Sequence, residues 1–405
     1  MRKLKLILKK IYQFHMDMDM DITHLWVVLI LFPIFLDTIS TIPLIVYKIT
    51  DTVLFFIELD VLIVLLVKSF YKINKRQLVF IGLCVIIFLF NIAIFKNFSF
   101  FMSNIRSLLL NLFIPTWIML GESRLIKKSK DFFIRLEMPL FVLIIINGII
   151  RIYEHDLYNI WFAYYVYTNI AISLYKAIIY KKKPSYLIAS FLIGFQLLSG
   201  SRAPLIYILL LAFILAFPGL KKRWKKLRRK IKIVLLLPAI VIIALCINYQ
   251  AIAKSLDTAL MKQGKIVRII HIAAKGELFT SARSDLIYKP LIEDIENNIL
   301  LGNGVGADRI YLCEIQNNKK CTDNEARGSY SHNLILEIVY SFGLFGIAML
   351  LVLIVKFILS SKYDRSYFIL IAFIGVVPLL MSFSFLSYFY FWLFVSILFS
   401  NEVLD

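Results

Sequence analysis

Three side chains combine proton handling with phosphate binding: His332, Arg202 and Arg283. His332 lies in the triplet Ser331-His332-Asn333. That triplet closes the long polar stretch of the chain and opens a strongly apolar one, SYSHNLILEIVYSFGLFGIAMLLVLIV, at 329–355. An imidazole changes charge near neutral pH, and at the water-facing lip of a hydrophobic helix it can position or deprotonate an attacking hydroxyl. The alternative is an interfacial residue that only marks the membrane edge. Arg202 stands in LLSGSRAPLIYILLLAF, in a very short connection between two apolar runs. A partly desolvated guanidinium is costly without an anionic partner, and its fork geometry suits phosphate; the alternative is a snorkelling side chain. Arg283 precedes an expected helix, where a basic group and free N–H groups form an anion site. Alone, it would be a solvated surface charge. Two cations suit a pyrophosphate anchored in lipid, and a neutral histidine suits hydrogen bonding to, or deprotonation of, an attacking hydroxyl.

The elements that must position these groups are membrane helices. The chain has 405 residues, 60% of them hydrophobic, against roughly 45–50% in ordinary soluble domains. Apolar stretches of membrane-spanning length alternate with short polar connections, the pattern of an all-α polytopic membrane protein. Hydropathy gives about twelve spans by the length rule. They fall at 25–47, 52–70, 78–95, 100–120, 132–150, 157–180, 185–199, 203–217, 231–248, 333–356, 366–383 and 384–399. The basic start is followed by a full-length apolar stretch and no small-residue cleavage site, so the first span is expected to be retained.

The formal charge of +20 gathers in clusters between spans: MRKLKLILKK, YKINKR, SRLIKKSK, KKKP, KKRWKKLRRK and KFILSSKYDR. The intervening connections YKITD, FKNFS, RIYEHD and SGSRAP carry none. This alternation favours membrane topology and anionic head groups over a nucleic-acid groove, so no nucleic-acid partner is expected. By the positive-inside rule both termini are cytoplasmic. The chain then divides into spans one to nine at 1–248, an extracytoplasmic loop at 249–331, and spans ten to twelve at 332–405 with a cytoplasmic C-terminus.

The outward loop carries nearly balanced charge. Within it, 284–298 is expected to form a short amphipathic helix with Ser284 as N-cap and a Gly-rich turn behind it. Its apolar positions Leu286, Ile287, Leu291, Ile292 and Ile295 would lie on the membrane or pack onto the bundle. The turn GNGVGADR, 302–309, lacks the Lys-Ser/Thr of a nucleotide-binding loop and follows no strand, so a tight turn is the better reading. Cys313 and Cys321, eight positions apart in the loop, favour a local disulfide over two of four metal ligands, because further ligands are not nearby. Cys84 and Cys246 fall in expected spans as small buried hydrophobes. No HExxH, CxxC or GxSxG is present, which removes zinc-hydrolase and serine-hydrolase chemistry from consideration.

Three motifs then carry a resemblance: SGSRAPLIYILLL, SARSDLIYKPLIEDIENNILLGNGVGADR and SHNLILEIVYSFGLFG. In order, separation and shared outward placement they resemble the O-antigen ligase/O-antigen polymerase superfamily of bacterial membrane glycosyltransferases. The likeness covers the C-terminal half. Where Ser-Arg-Gly is common in that superfamily, this chain has Ser201-Arg202-Ala203-Pro204, and the proline suits a helix start. The resemblance implies a metal-independent, cofactor-free glycosyltransferase with a GT-C-like fold, in the bacterial cytoplasmic (inner) membrane with its active site facing outside. The donor would be an oligosaccharide on undecaprenyl pyrophosphate. Arg202 and Arg283 would contact its pyrophosphate, and His332, oriented by Asn333 or Glu337, would act at the acceptor hydroxyl. The bilayer and a chain-length regulator protein are the other implied partners. A composition rich in Phe, Ile, Lys, Tyr and Asn leans towards the polymerase; the ligase and a lipid-linked oligosaccharide flippase are the alternatives.

Overall fold

The computed structural model describes residues 73–95, 97–105, 108–121, 123–153, 159–199, 201–226, 249–262, 270–271, 274–275, 283–323, 325–360 and 364–399. Among these residues the chain is all-helical, with no strand. In order come α1 (Lys75–Phe95), α2 (Phe98–Ser103), a π-helical segment (Leu108–Phe113), α3 (Ile114–Gly121), α4 (Ser123–Tyr153), α5 (Ile160–Ile179), α6 (Lys183–Ser199), α7 (Arg202–Lys226) and α8 (Tyr249–Met261). A second π-helical segment (Ser284–Tyr288) runs into α9 (Lys289–Ile295) and a 3-10 turn (Glu296–Asn298). Then follow α10 (Ala307–Asn317), a 3-10 turn (Glu325–Gly328), α11 (Leu334–Ser360), α12 (Arg365–Gly375), a 3-10 turn (Val377–Leu380) and α13 (Phe389–Phe399).

Among the described residues, three stretches are long and apolar enough to cross a membrane: α1, Lys130–Arg151 within α4, and α11. Each exposes many large apolar side chains, as lipid-facing helices require, and the buried residues of α1 are the polar Gln77 and Asn91. On α1, Leu78, Leu83, Ile86 and Leu89 all stand exposed. The expected spans at 25–47, 52–70 and 231–248 lie outside the described residues.

Three expected spans take a different form. The stretch 100–120 is divided into α2, the first π-helical segment and α3. At the break, Ser103 Oγ and Asn104 Nδ2 both donate to the Phe100 carbonyl, at 3.0 and 2.9 Å, and so offer the backbone an alternative to the helical ladder. The stretches 366–383 and 384–399 contain only the shorter helices α12 and α13. Between them 376–388 runs through the 3-10 turn and further turns, with Pro378 unable to donate to a helix. That irregular connection exposes carbonyls that the functional site uses.

The chain divides into two compact units, Met1–Arg151 with Asp285–Asp405, and Ile152–Ser284. In the second unit α5 is buried from Phe162 to Tyr175 on every side, packed by α6 and α7. Phe162 meets Phe195 at 6.2 Å and Tyr167 meets Tyr207 at 6.4 Å between ring centroids. Asn159 Oδ1 accepts from the Phe162 amide at 3.1 Å and caps the helix start. Asp257 on α8 pairs with His271 at 2.9 Å.

In the first unit α13 lies against α3, α11 and α12. Gln77 and Asn74 reach from the start of α1 to the carbonyls of Trp117 and Leu120 at 3.1 and 2.7 Å. Lys130 on α4 pairs with Asp364 at 2.6 Å, and the same carboxylate caps α12 through the Tyr367 amide at 3.0 Å. The expected loop helix is present as continuous helical turns over 284–298. Its Ile287, Leu291 and Ile295 form a core with Leu312 of α10 and Tyr340 of α11, while Leu286 and Ile292 remain exposed.

Candidate functional site

The site is assembled where the Gly-rich turn, the start of α11 and the 376–388 connection converge. Gly302 and Gly343 make the first junction. Both have positive φ, +72° and +57°, and a Cβ on Gly302 would lie 2.7 Å from the Gly343 and Phe342 amide nitrogens. Only glycine permits that approach. The turn ends at α10, whose first turn carries Asp308 and Arg309, both buried. The far end of α10 is tied back by a disulfide between Cys313 and Cys321, whose Cα atoms are 6.1 Å apart. Beyond it Lys319 bonds Glu325 at 2.7 Å and, with Thr322, holds that exposed carboxyl down at about 2.

The chain returns to α10 at Ser331, whose amide donates to Asp308 Oδ2 at 3.1 Å. His332 follows with φ +52°. This left-handed backbone is rare for residues with a side chain and costs about 1–3 kcal/mol where it occurs. Contacts of Tyr330, His332 and Asn333 hold it. Asn333 Oδ1 accepts from the Leu336 amide at 3.1 Å, capping α11, while its Nδ2 donates to the Leu380 carbonyl at 3.3 Å. Tyr330 donates its hydroxyl to the Ser382 carbonyl at 2.7 Å and packs against the imidazole with ring centroids 3.9 Å apart and planes inclined by 43°. His332 Nδ1 lies 3.1 Å from the same Ser382 carbonyl. A carbonyl oxygen only accepts, so Nδ1 carries the hydrogen, and in the neutral ring the lone pair sits on Nε2. This is the tautomer a base or hydroxyl acceptor needs at Nε2.

Beneath the histidine lies a buried polar group that links three elements. Arg309 donates from Nη2 to Ser384 Oγ at 3.0 Å, and Ser384 donates to Glu337 Oε1. The Phe385 amide donates to Glu337 Oε2 at 3.1 Å. The Arg309 guanidinium lies 5.5 Å from the Phe100 ring centroid and 5.7 Å from that of Tyr330, within cation–π range. Burial pushes the Asp308 carboxyl above the usual carboxylate range, with the Arg309 charge and the Ser331 amide pulling the other way. Among the described residues Arg309 Nε and Asp308 Oδ1 have no hydrogen-bond partner.

The expected site residues separate accordingly. His332, Asn333 and Glu337 all lie in the first unit: the Ser382 carbonyl bonds the imidazole, Asn333 bonds the Leu380 carbonyl of the same connection, and Glu337 bonds Ser384 and the Phe385 amide. Arg202 is the first residue of α7, and Arg283 is helical and half-buried just ahead of the second π-helical segment. Both belong to the second unit. Sequence reasoning passed over Asp308, Arg309, Tyr330, Ser382 and Ser384. Two signals stood in plain view: an adjacent acid and base directly after the Gly-rich turn, and serines spaced through the aromatic run MSFSFLSYFY. Among the described residues no cluster of three or more His, Cys, Asp or Glu side chains is placed to hold a metal ion.

Residues 186–351 match the family model described as O-antigen ligase. The matched segment contains Arg202, Arg283, Asp308, Arg309, His332, Asn333 and Glu337, and the match supports the resemblance of this part of the chain to the O-antigen polymerase/ligase superfamily. No curated protein and no solved structure matches the chain.

Proposed function

We propose that this protein is a surface-polysaccharide polymerase of the O-antigen type. It transfers a glycan from undecaprenyl pyrophosphate to a sugar hydroxyl of another lipid-linked repeat unit. The observation that carries the reading is the fixed His332 tautomer, inside the O-antigen ligase match and at the mouth of a candidate membrane span. The alternation of basic clusters supports an outward-facing site in the bacterial cytoplasmic membrane, with 249–331 outside and both termini in the cytoplasm.

In this mechanism the acceptor hydroxyl hydrogen-bonds His332 Nε2. The oxygen attacks the anomeric carbon of the donor, the bond from that carbon to the phosphate oxygen breaks, and the hydroxyl proton passes to Nε2. Undecaprenyl pyrophosphate leaves with the bonding electrons. Arg202, at the N-terminus of a long helix, and Arg283 bind the pyrophosphate and stabilise the charge that develops on it. No metal takes part in any step. The family description itself favours a second reading, a ligase that delivers the same glycan to the lipid A core.

The test is reconstitution with purified lipid-linked repeat units, read as a ladder of chain lengths. His332→Ala should slow transfer by about 10²–10⁴-fold, the range of a lost general base. Full-length polymer at normal protein level would overturn the assignment. In cells, loss of a polymerase leaves single repeats on the core, loss of a ligase leaves the core bare with lipid-linked polymer accumulating, and loss of a flippase leaves almost no repeats outside.

A further inference from the structure

The Gly-rich turn has a property that the transfer chemistry does not require. It is bonded to the interior of a candidate membrane helix. Gly343, nine positions into α11, has φ 57° and ψ −138° and interrupts the helix. The interruption releases backbone groups from the helical ladder, and the turn takes them up. Leu344 N donates to the Ile299 carbonyl at 2.9 Å, Asn303 N to the Tyr340 carbonyl at 2.8 Å, and Gly304 N to the Ser341 carbonyl at 3.1 Å.

Two independent rulers give the depth of this junction. At 1.5 Å per residue the 27 residues of α11 exceed the roughly 20 needed to cross about 30 Å of hydrocarbon, so centring the span puts Gly343 at most roughly 9 Å below its boundary, the break at Gly343 shortening the axial rise. The second ruler is α1, whose 21 residues match the hydrocarbon thickness. Asn91, four residues or roughly 6 Å before its end, accepts from the Val305 amide at 2.7 Å. Asn97 donates to the Val305 carbonyl at 2.8 Å from beyond that end.

Irregular backbone survives at such depth only where its polar groups are satisfied within the protein. The turn meets this demand at several groups: besides the bonds to α11, Gly302 N donates to the Asn298 carbonyl at 2.8 Å, and the side chains of Asn298, Asn303, Asp294 and Tyr340 bond one another in a chain. After the exposed polar residues Glu296, Asn297 and Asn298, the chain turns three consecutive apolar side chains outward. Ile299, Leu300 and Leu301 are 50%, 68% and 51% exposed, and they continue the exposed surface of Leu344 and Phe345 on α11. A run of consecutive exposed aliphatic side chains is unfavourable in water and favourable in hydrocarbon.

We propose that residues 299–301 insert into the acyl chains of the adjoining bilayer leaflet. The Gly-rich turn is then a re-entrant, lipid-contacting element that fixes the height of Asp308, Arg309 and the histidine above it. The occupant of this surface is lipid, because the patch is continuous with the lipid-facing side of α11.

The test uses the full chain in lipid vesicles, with Cys84 and Cys246 replaced by Ala and the disulfide kept. A nitroxide is attached at Leu300→Cys, at Leu351→Cys on α11, and at Gln316→Cys, which is exposed on α10. Oxygen concentrates in hydrocarbon, whereas a charged nickel chelate is excluded from it. The oxygen-to-nickel relaxation ratio at Leu300 should match that at Leu351 and exceed that at Gln316 by about tenfold or more. A ratio at Leu300 equal to that at Gln316 overturns the proposal. Dipolar broadening between labels at Leu300 also overturns it, since that result places a second copy of the chain on the patch.

Discussion

Arg309→Gln tests the buried polar group most directly. The substitution removes a guanidinium that donates to Ser384 Oγ at 3.0 Å and faces two aromatic rings, and it leaves Asp308 buried with one carboxylate oxygen unpartnered among the described residues. Breaking one side of a buried charge pair costs about 3–5 kcal/mol, much of it from the charge left behind. Asp308→Asn in the same chain removes that charge, so the double variant should recover about 2 kcal/mol of the loss. The effect depends on pH with a definite sign. Burial raises the Asp308 carboxyl in the folded state, so between the ordinary carboxylate value and the raised one the folded protein holds a proton that the unfolded chain has released. Stability therefore falls as pH rises through that interval, and more steeply once Arg309 no longer opposes the shift. Reversible unfolding in mixed micelles at about pH 5 and about pH 8 should show the larger Arg309→Gln deficit at the higher pH. A coupling below about 0.5 kcal/mol between the two substitutions, or a deficit equal at both pH values, would refute the account.

Gly343→Ala places a Cβ 2.6 Å from the Leu300 carbonyl and against that of Ile299 in a left-handed backbone, so it should destabilise by roughly 2–4 kcal/mol, seen as a lower unfolding midpoint in detergent. Asn333→Ala removes the α11 cap and should cost about 1 kcal/mol. If the cap also places His332, kcat falls with KM little changed, and Asn333→Asp, which keeps an acceptor oxygen, restores most of it. Replacing Cys313 and Cys321 together by Ser opens a loop of eight-residue separation and should cost about 2.5 kcal/mol on the chain-entropy estimate, read in the same unfolding assay.

Helical class was readable because lipid imposes length and apolarity on a span directly, and α1, α4, α5, α6, α7 and α11 begin within a few residues of where hydropathy puts them, save α4, which starts nine residues early. The histidine was readable because it sits at the junction between a polar and an apolar stretch. The breaks in the helices were harder. Hydropathy reads 376–388 as part of two spans, since Val, Leu, Met, Phe and Tyr together make up most of it; the turns arise from Pro378 and from serines that bond the backbone locally. The Ser382 carbonyl that orients His332 is a main-chain group, and a main-chain group has no sequence signature. Arg309 was hidden for another reason. A charged residue next to an oppositely charged one reads as a solvated pair, and only the fold reveals that both are buried.

The irregular backbone is what allows polar chemistry at this position. An unbroken α11 would keep Tyr340, Ser341 and Leu344 within its own ladder, and an unbroken helix through 376–388 would do the same for Leu380 and Ser382. The kink at Gly343 frees the groups that anchor the Gly-rich turn, and the turn aims α10 so that Asp308 receives the Ser331 amide. The 376–388 turns free the carbonyls that bind Asn333, Tyr330 and His332. Each break thus provides half of the support for a histidine held in left-handed backbone. Substitutions that restore helical propensity at either break should therefore impair transfer even where they add helix, because the imidazole depends on the carbonyl left outside the ladder.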